Sequence, residues 1–221
     1  MLHHRRTVLY FLTASLIAPA CRAEALTPAP QPADDPAPFA ASRSAVRYWP
    51  VVTSDPRWNE VSMQLEGGGF SGVELRCFNA PRPSAHADNP TRRHVGVDLF
   101  ARPGDAIVAV EAGRIDAFYP FLRARTGEMT YALLVAHDGY VANYGEVRAR
   151  SLSTNGLSIG DDVTPGQHIA EASDTEQLHF ETYLSGTTRN QSWRHGAARP
   201  SRVLNPTQML LDLAQHGLRA Q

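Results

Sequence analysis

The run "TYALLVAHDGYVANYGEV", residues 130–147, restricts the fold more than any other part of this 221-residue chain. Two strand-like segments flank Asp138-Gly139, and Asp-Gly suits the tight primed turn that joins antiparallel strands with matching twist. The same grain continues on both sides. "HVGVDLFA" alternates, "DAIVAVEAGRIDAFY" holds two strands split by a turn at Glu111-Ala112-Gly113, "SIGDDVTPGQHIAEAS" reads as a turn and a short strand, and "QLHFETYL" is a further strand. Upstream, "VSMQLEGG" and "GVELRCF" read as β segments around Gly67-Gly68-Gly69, and "NAPRPSAHADNPTRR" reads as a polar loop with three prolines, its His86 exposed. Only "NPTQMLLDLAQHGL" has a helical pattern, with Asn205 as N-cap, Pro206 at the first helical position, and Met209, Leu210 and Leu213 on one face. The expectation is a mostly β domain of short antiparallel strands with a C-terminal helix.

The length allows one medium domain with a real core. A formal net charge of −1 with scattered arginines excludes a bulk polyanion partner, so no nucleic acid is expected. "GGGFSG" lacks the Gly-Lys-Ser/Thr of a phosphate loop, and Ser71 does not sit in a Gly-x-Ser-x-Gly elbow. At the start, His3 to Arg6 form a polar, basic segment, Thr7 to Ala18 an apolar run too short to span a bilayer, and small residues come next. Residues 1–23 therefore read as a signal peptide, with the mature chain starting between Cys21 and Leu26, and residues 24–43 as a Pro/Ala-rich tether. The expected location is the periplasm or cell envelope. Membrane attachment is expected only if Cys21 is lipidated, and Ala18 three positions earlier is a poor signal for that. Cleavage after Ala20 would let Cys21 pair with Cys77, whereas later cleavage leaves Cys77 as a small buried hydrophobe.

Residues 44–91 form N-terminal strands and a loop, and residues 92–215 carry the chemistry. In a strand, side chains alternate faces, so in "RRHVGVDLF" His94, Gly96 and Asp98 share one face and Val95, Val97 and Leu99 the other. An imidazole and a carboxylate with no side chain between them leave room for a metal ion. In "QLHFETY", Gln177, His179 and Glu181 share a face, while Leu178 and Phe180 fit the core. His179 would complete a His-Asp-His set, and three protein ligands plus an open position describe a catalytic zinc. Glu181, beside that ligand, either orients it or meets solvent. His137, His168 and His195 read as structural or exposed.

Together these segments resemble the M23 peptidases, the lysostaphin/LytM type of peptidoglycan endopeptidase. The likeness runs over much of residues 92–206. It comprises "HVGVDLFARPGDAIVAVEAGRI", similar to the family's His-x-Gly-x-Asp strand and its Gly-x-x-Val-x-Ala-x-x-x-Gly-x-Val continuation; "LLVAHDGYVANYGEV", similar to the hairpin that ends in Tyr-x-His; and "GQHIAEAS", "QLHFE" and the late Asn-Pro. The resemblance implies a small β domain with a zinc groove, zinc as cofactor held by His94, Asp98 and His179, and peptidoglycan peptides as partners. The chain departs from the family at two positions. The first His of His-x-His is Gln177, and the His after the hairpin tyrosine is Glu146. Glutamine donates hydrogen bonds but takes no proton at neutral pH, while a glutamate beside zinc can act as general base. The expectation is thus an exported zinc metalloendopeptidase acting on peptide cross-links, with Glu146 as base and Gln177 holding the oxyanion. The alternative is a non-catalytic module of the same fold that binds the wall or regulates another hydrolase.

Overall fold

The computed structural model describes residues 46–60, 76–83 and 90–220. The expected leader and tether, the strand expected in "VSMQLEGG", the glycine run and His86 lie outside those residues.

The hairpin at Asp138-Gly139 forms as its sequence demands. Strand β7 (Met129–His137) turns through Gly139, at φ 88°, into β8 (Tyr140–Val147). The left-handed φ is one that glycine adopts without steric penalty. Among the described residues this pair lies within a seven-stranded antiparallel sheet. β6 (Gly113–Arg123) flanks β7, and β9 (Asp162–Val163) flanks β6. On the other side β11 (Gln177–Leu184) pairs with β8. The far edge of β11 is shared: β4 (Gly96–Phe100) covers its first half and β13 (Val203–Leu204) its second. A three-stranded sheet of β1 (Val51–Val52), β5 (Ala106–Val108) and β10 (His168–Glu171) packs alongside.

One apolar core runs through these elements. It takes Val97 and Leu99 from β4, Leu133 and Val135 from β7, Leu178 and Phe180 from β11, and also Trp49, Val51 and Phe78 from the N-terminal segment. Burying each such side chain contributes about 1.5–3 kcal/mol. The C-terminal helix, α2 (Thr207–His216; α1 is the single turn Ser151–Thr154), buries Met209, Leu210 and Leu213, the face its spacing indicated. It starts one residue later than expected, with Asn205 Oδ1 accepting from the Thr207 amide at 3.1 Å. No helix among the described residues is long and apolar enough to cross a membrane.

Two segments depart from the expected pattern. Arg76 to Ala80, at the end of "GVELRCF", form a turn rather than strand. The proline-rich "NAPRPSAHADNPTRR" holds two strands, β2 (Pro81–Pro83) and β3 (Pro90–Arg93), in a small sheet with β12 (Trp193–Arg194). Proline removes a ladder donor, so it is tolerated where a strand is short and at an edge.

Gly96 lets β4 lie tight against β11. A Cβ there would lie 2.4 Å from the Phe180 carbonyl oxygen and 2.8 Å from Glu181 Cγ. The carbonyl belongs to the β11 backbone and yields only if the ladder opens. Gly96→Ala is expected to lower unfolding free energy in urea by about 1–3 kcal/mol or more. A variant as stable as the parent chain would contradict this packing of β4 on β11.

Candidate metal centre

The register between β4 and β11 places Asp98 directly opposite His179. His94 precedes β4 on the same side, so the three side chains converge although 81 and 85 residues separate His179 from the other two. Asp98 Oδ1 lies 2.7 Å from His179 Nδ1 and 3.1 Å from His94 Nε2, and the two imidazole nitrogens are 3.1 Å apart. Each residue offers one donor atom, all within 4.8 Å of one another, and all three residues are buried. This is the group expected from the alternation of the two strands.

Partners behind the rings fix how they face. His94 Nδ1 lies 2.8 Å from the Cys77 carbonyl oxygen. A carbonyl only accepts, so Nδ1 carries the hydrogen and Nε2 turns its lone pair inward. His179 Nε2 lies 2.8 Å from Glu181 Oε1, and Glu181 Oε2 in turn accepts from Asn143 Nδ2 at 2.6 Å and Tyr183 Oη at 2.7 Å. Glu181 therefore orients His179, deciding between the two roles left open for it. Phe121 stacks on the His179 ring at 5.5 Å. Metal-binding imidazoles commonly hold their second nitrogen in this way.

The charges follow from burial and pairing. Burial pushes His94 down, toward the neutral ring. Burial also opposes the charged forms of Asp98 and Glu181, but the imidazoles beside them outweigh it and hold Asp98 well below, and Glu181 below, the usual carboxylate range. For His179 burial is outweighed by Glu181 and Asp98, which push it up to about 10. Without a metal, then, His179 keeps a proton on Nδ1 and donates it to Asp98.

Glu146 and Gln177 stand together. Gln177 Nε2 donates to Glu146 Oε1 at 3.0 Å. Glu146 is the extra residue of a β-bulge between β7 and β8, with a φ of 65° that a non-glycine residue seldom adopts. A bulge redirects a side chain out of the strand's alternation, and here the carboxylate lines the same cavity as His94 and His179. Burial, and then the nearby Asp98 charge, push Glu146 up from its ordinary value. The cavity, about 260 Å³, is also lined by Arg82, Arg92, Asn190, Gln191 and Trp193.

Against known protein families, residues 92–191 match the model of peptidase family M23. Over that stretch, a little under half of the chain, it is similar to the M23 peptidases. No curated protein sequence matches the chain. Among solved structures it is similar to Csd3 of Helicobacter pylori, with 21% identity over 77% of this chain and 40% of that one and a TM-score of 0.40. It is also similar to the catalytic domain of lysostaphin from Staphylococcus simulans, with 21% identity, 61% and 89% of the two chains covered and a TM-score of 0.39. A zinc-containing peptidase from Vibrio cholerae is 23% identical over 56% of this chain and 35% of that one, at a TM-score of 0.39. The chain thus spans about two fifths of the length of Csd3. At these identities and TM-scores the likenesses add nothing to the family assignment.

His137 is buried and structural, with its ring nitrogens on the Ala112 carbonyl and the Tyr144 hydroxyl, and His168 and His195 are exposed. Arg82, Asn143, Tyr183 and the Cys77 carbonyl were not foreseen. Asn143 carried a signal, as the lone amide inside the apolar run of β8; a backbone carbonyl carries none. The pH dependence of the metal-free domain follows from His179. A group raised from 6.5 to about 10 on folding contributes stability that is complete below about 6.5 and is lost as pH rises toward 10. The melting temperature of chelator-treated protein is expected to fall between about pH 6.5 and 9.5, and His179→Gln to flatten that slope. An unchanged slope in the variant would contradict the paired, protonated state of His179.

Proposed function

We propose that this chain is an exported, zinc-dependent endopeptidase acting on peptide cross-links of peptidoglycan. The observation that carries the reading is the convergence of His94 Nε2, Asp98 Oδ1 and His179 Nδ1 within 2.7–3.1 Å, with outer partners turning the donors inward. Two nitrogens and a carboxylate oxygen are a donor set that suits zinc and leaves a coordination position open. The match of residues 92–191 to a peptidase family supports a hydrolytic role, and the basic, apolar and small-residue segments of residues 1–23 support export to the periplasm or envelope.

In this reading His94, Asp98 and His179 hold the metal, which supplies a Lewis acid and an acidified water. Glu146 accepts and returns the proton. Burial makes its carboxylate a better base than an exposed one, since a catalytic base works best with its pKa near the operating pH. Gln177 donates one amide hydrogen to Glu146, orienting it, and its second is assigned to the developing oxyanion. Cavity walls from β3, β6 and the segment 190–193 bind and position the peptide.

A second reading, a non-catalytic module that binds the wall or regulates another hydrolase, is favoured by the two positions where glutamine and glutamate replace the histidines of the M23 pattern. Muropeptide analysis of purified sacculi digested with zinc-saturated mature protein separates the two. Cross-linked peptides are expected to fall relative to a metal-stripped control; no change supports the module.

Two further outcomes are expected. At saturating zinc the protein should hold about one ion per chain by elemental analysis, and His179→Ala or Asp98→Ala should lose it; retention in either variant contradicts the ligand set. Glu146→Gln should keep zinc and lower turnover by about 10²- to 10⁴-fold. Unchanged turnover would assign the base elsewhere.

A further inference from the structure

Arg82 reaches the donor set from outside the sheet that builds it. It lies on β2, opposite Arg92 of β3, in the small sheet beside the cavity. Its Nη2 group donates to Asp98 Oδ2, and it lies 3.0 Å from His94 Nε2. The His94 ring has one lone pair to offer, because Nδ1–H is committed to the Cys77 carbonyl. That lone pair is the one a metal would use. A nitrogen accepting from a guanidinium does not bind a cation at the same time. The guanidinium also brings a positive charge to within hydrogen-bonding distance of two of the three donor residues, and like charges repel strongly at such range in a partly buried site.

Taking the zinc reading as its basis, we propose that Arg82 is an intramolecular competitor for the metal. Guanidinium and zinc exclude each other at His94 Nε2, and zinc binds as Arg82 gives up its contact with that atom. The arginine's hold is incomplete: its Nε–H is buried with no acceptor among the described residues, a state that costs free energy. Arg82 is also part of the cavity wall, so its departure from the donors changes the space above them. The affinity of this site for zinc is then set by how well β2 holds its arginine in place, and not by the three ligands alone.

The test is zinc affinity, measured on the full mature chain by competition with a chromogenic chelator. The chains compared are wild type, Arg82→Ala, Arg82→Met and Arg92→Ala. Arg82→Met keeps most of the apolar stem, so one uncharged variant remains if Arg82→Ala fails to fold. Both uncharged Arg82 variants are expected to bind zinc about tenfold tighter or more, because the competing charge and hydrogen bonds are gone. Arg92→Ala, on the same wall but without contact to a donor atom, should stay within about threefold of wild type. Equal affinity in Arg82→Met and wild type overturns the proposal while leaving zinc binding intact. Weaker binding also overturns it, and makes Arg82 an anchor that holds Asp98 for the metal. Zinc binding by none of the chains would instead remove the zinc reading on which the proposal rests.

Discussion

The antiparallel register between β4 and β11 is the constraint on which the rest of the site depends. It sets Asp98 against His179 and Gly96 against Glu181. A slip of one residue would turn His179 into the core and bring Leu178 or Phe180 to the cavity. The apolar alternation of both strands forbids that slip, because Val97, Leu99, Leu178 and Phe180 are fully buried on the opposite face. The register is thus held by hydrophobic burial, and the donor set is a consequence. Gly96 completes it: without a side chain at that position β4 comes close enough to β11 for the carboxylate and imidazole to meet.

Around that pair the structure accumulates polar groups that an apolar interior would otherwise reject. Buried charges persist only when paired and hydrogen-bonded. Here Asp98 has His179 and Arg82, while Glu181 has His179, Asn143 and Tyr183. The bulge that redirects Glu146 belongs to the same polar site inside a β core. Its positive φ is a conformation that strand residues seldom adopt, and such departures concentrate at functional sites. The interior is therefore organised on two faces, one apolar and continuous, the other a connected network around three inward-facing donors.

Much of this was legible in the sequence, because the strand period of two is a local property. "HVGVDLFA" and "QLHFETYL" declared which residues share a face, Asp138-Gly139 declared the hairpin, and Met209, Leu210 and Leu213 declared the packed side of the helix. Contacts that depend on chain crossings were not legible. Arg82 and the Cys77 carbonyl come from "RCFNAPRP", whose prolines and turn residues masked the edge strand β2. The role of Glu181 stayed open because a carboxylate at that step of a strand serves equally well in water; its burial beside Asn143 and Tyr183 decided the matter. The bulge at Glu146 was equally hidden, since glutamate has no preference for a left-handed backbone and only the tertiary pairing imposes it.

His94, Asp98 and His179 are proposed to act as one metal-binding unit. A crystal structure of the zinc-soaked mature protein, with anomalous data collected at the zinc edge, tests it most directly. One strong anomalous peak is expected within about 2.3 Å of His94 Nε2, His179 Nδ1 and an Asp98 carboxylate oxygen. A peak held by other residues, or none in this cavity at saturating zinc, would contradict it.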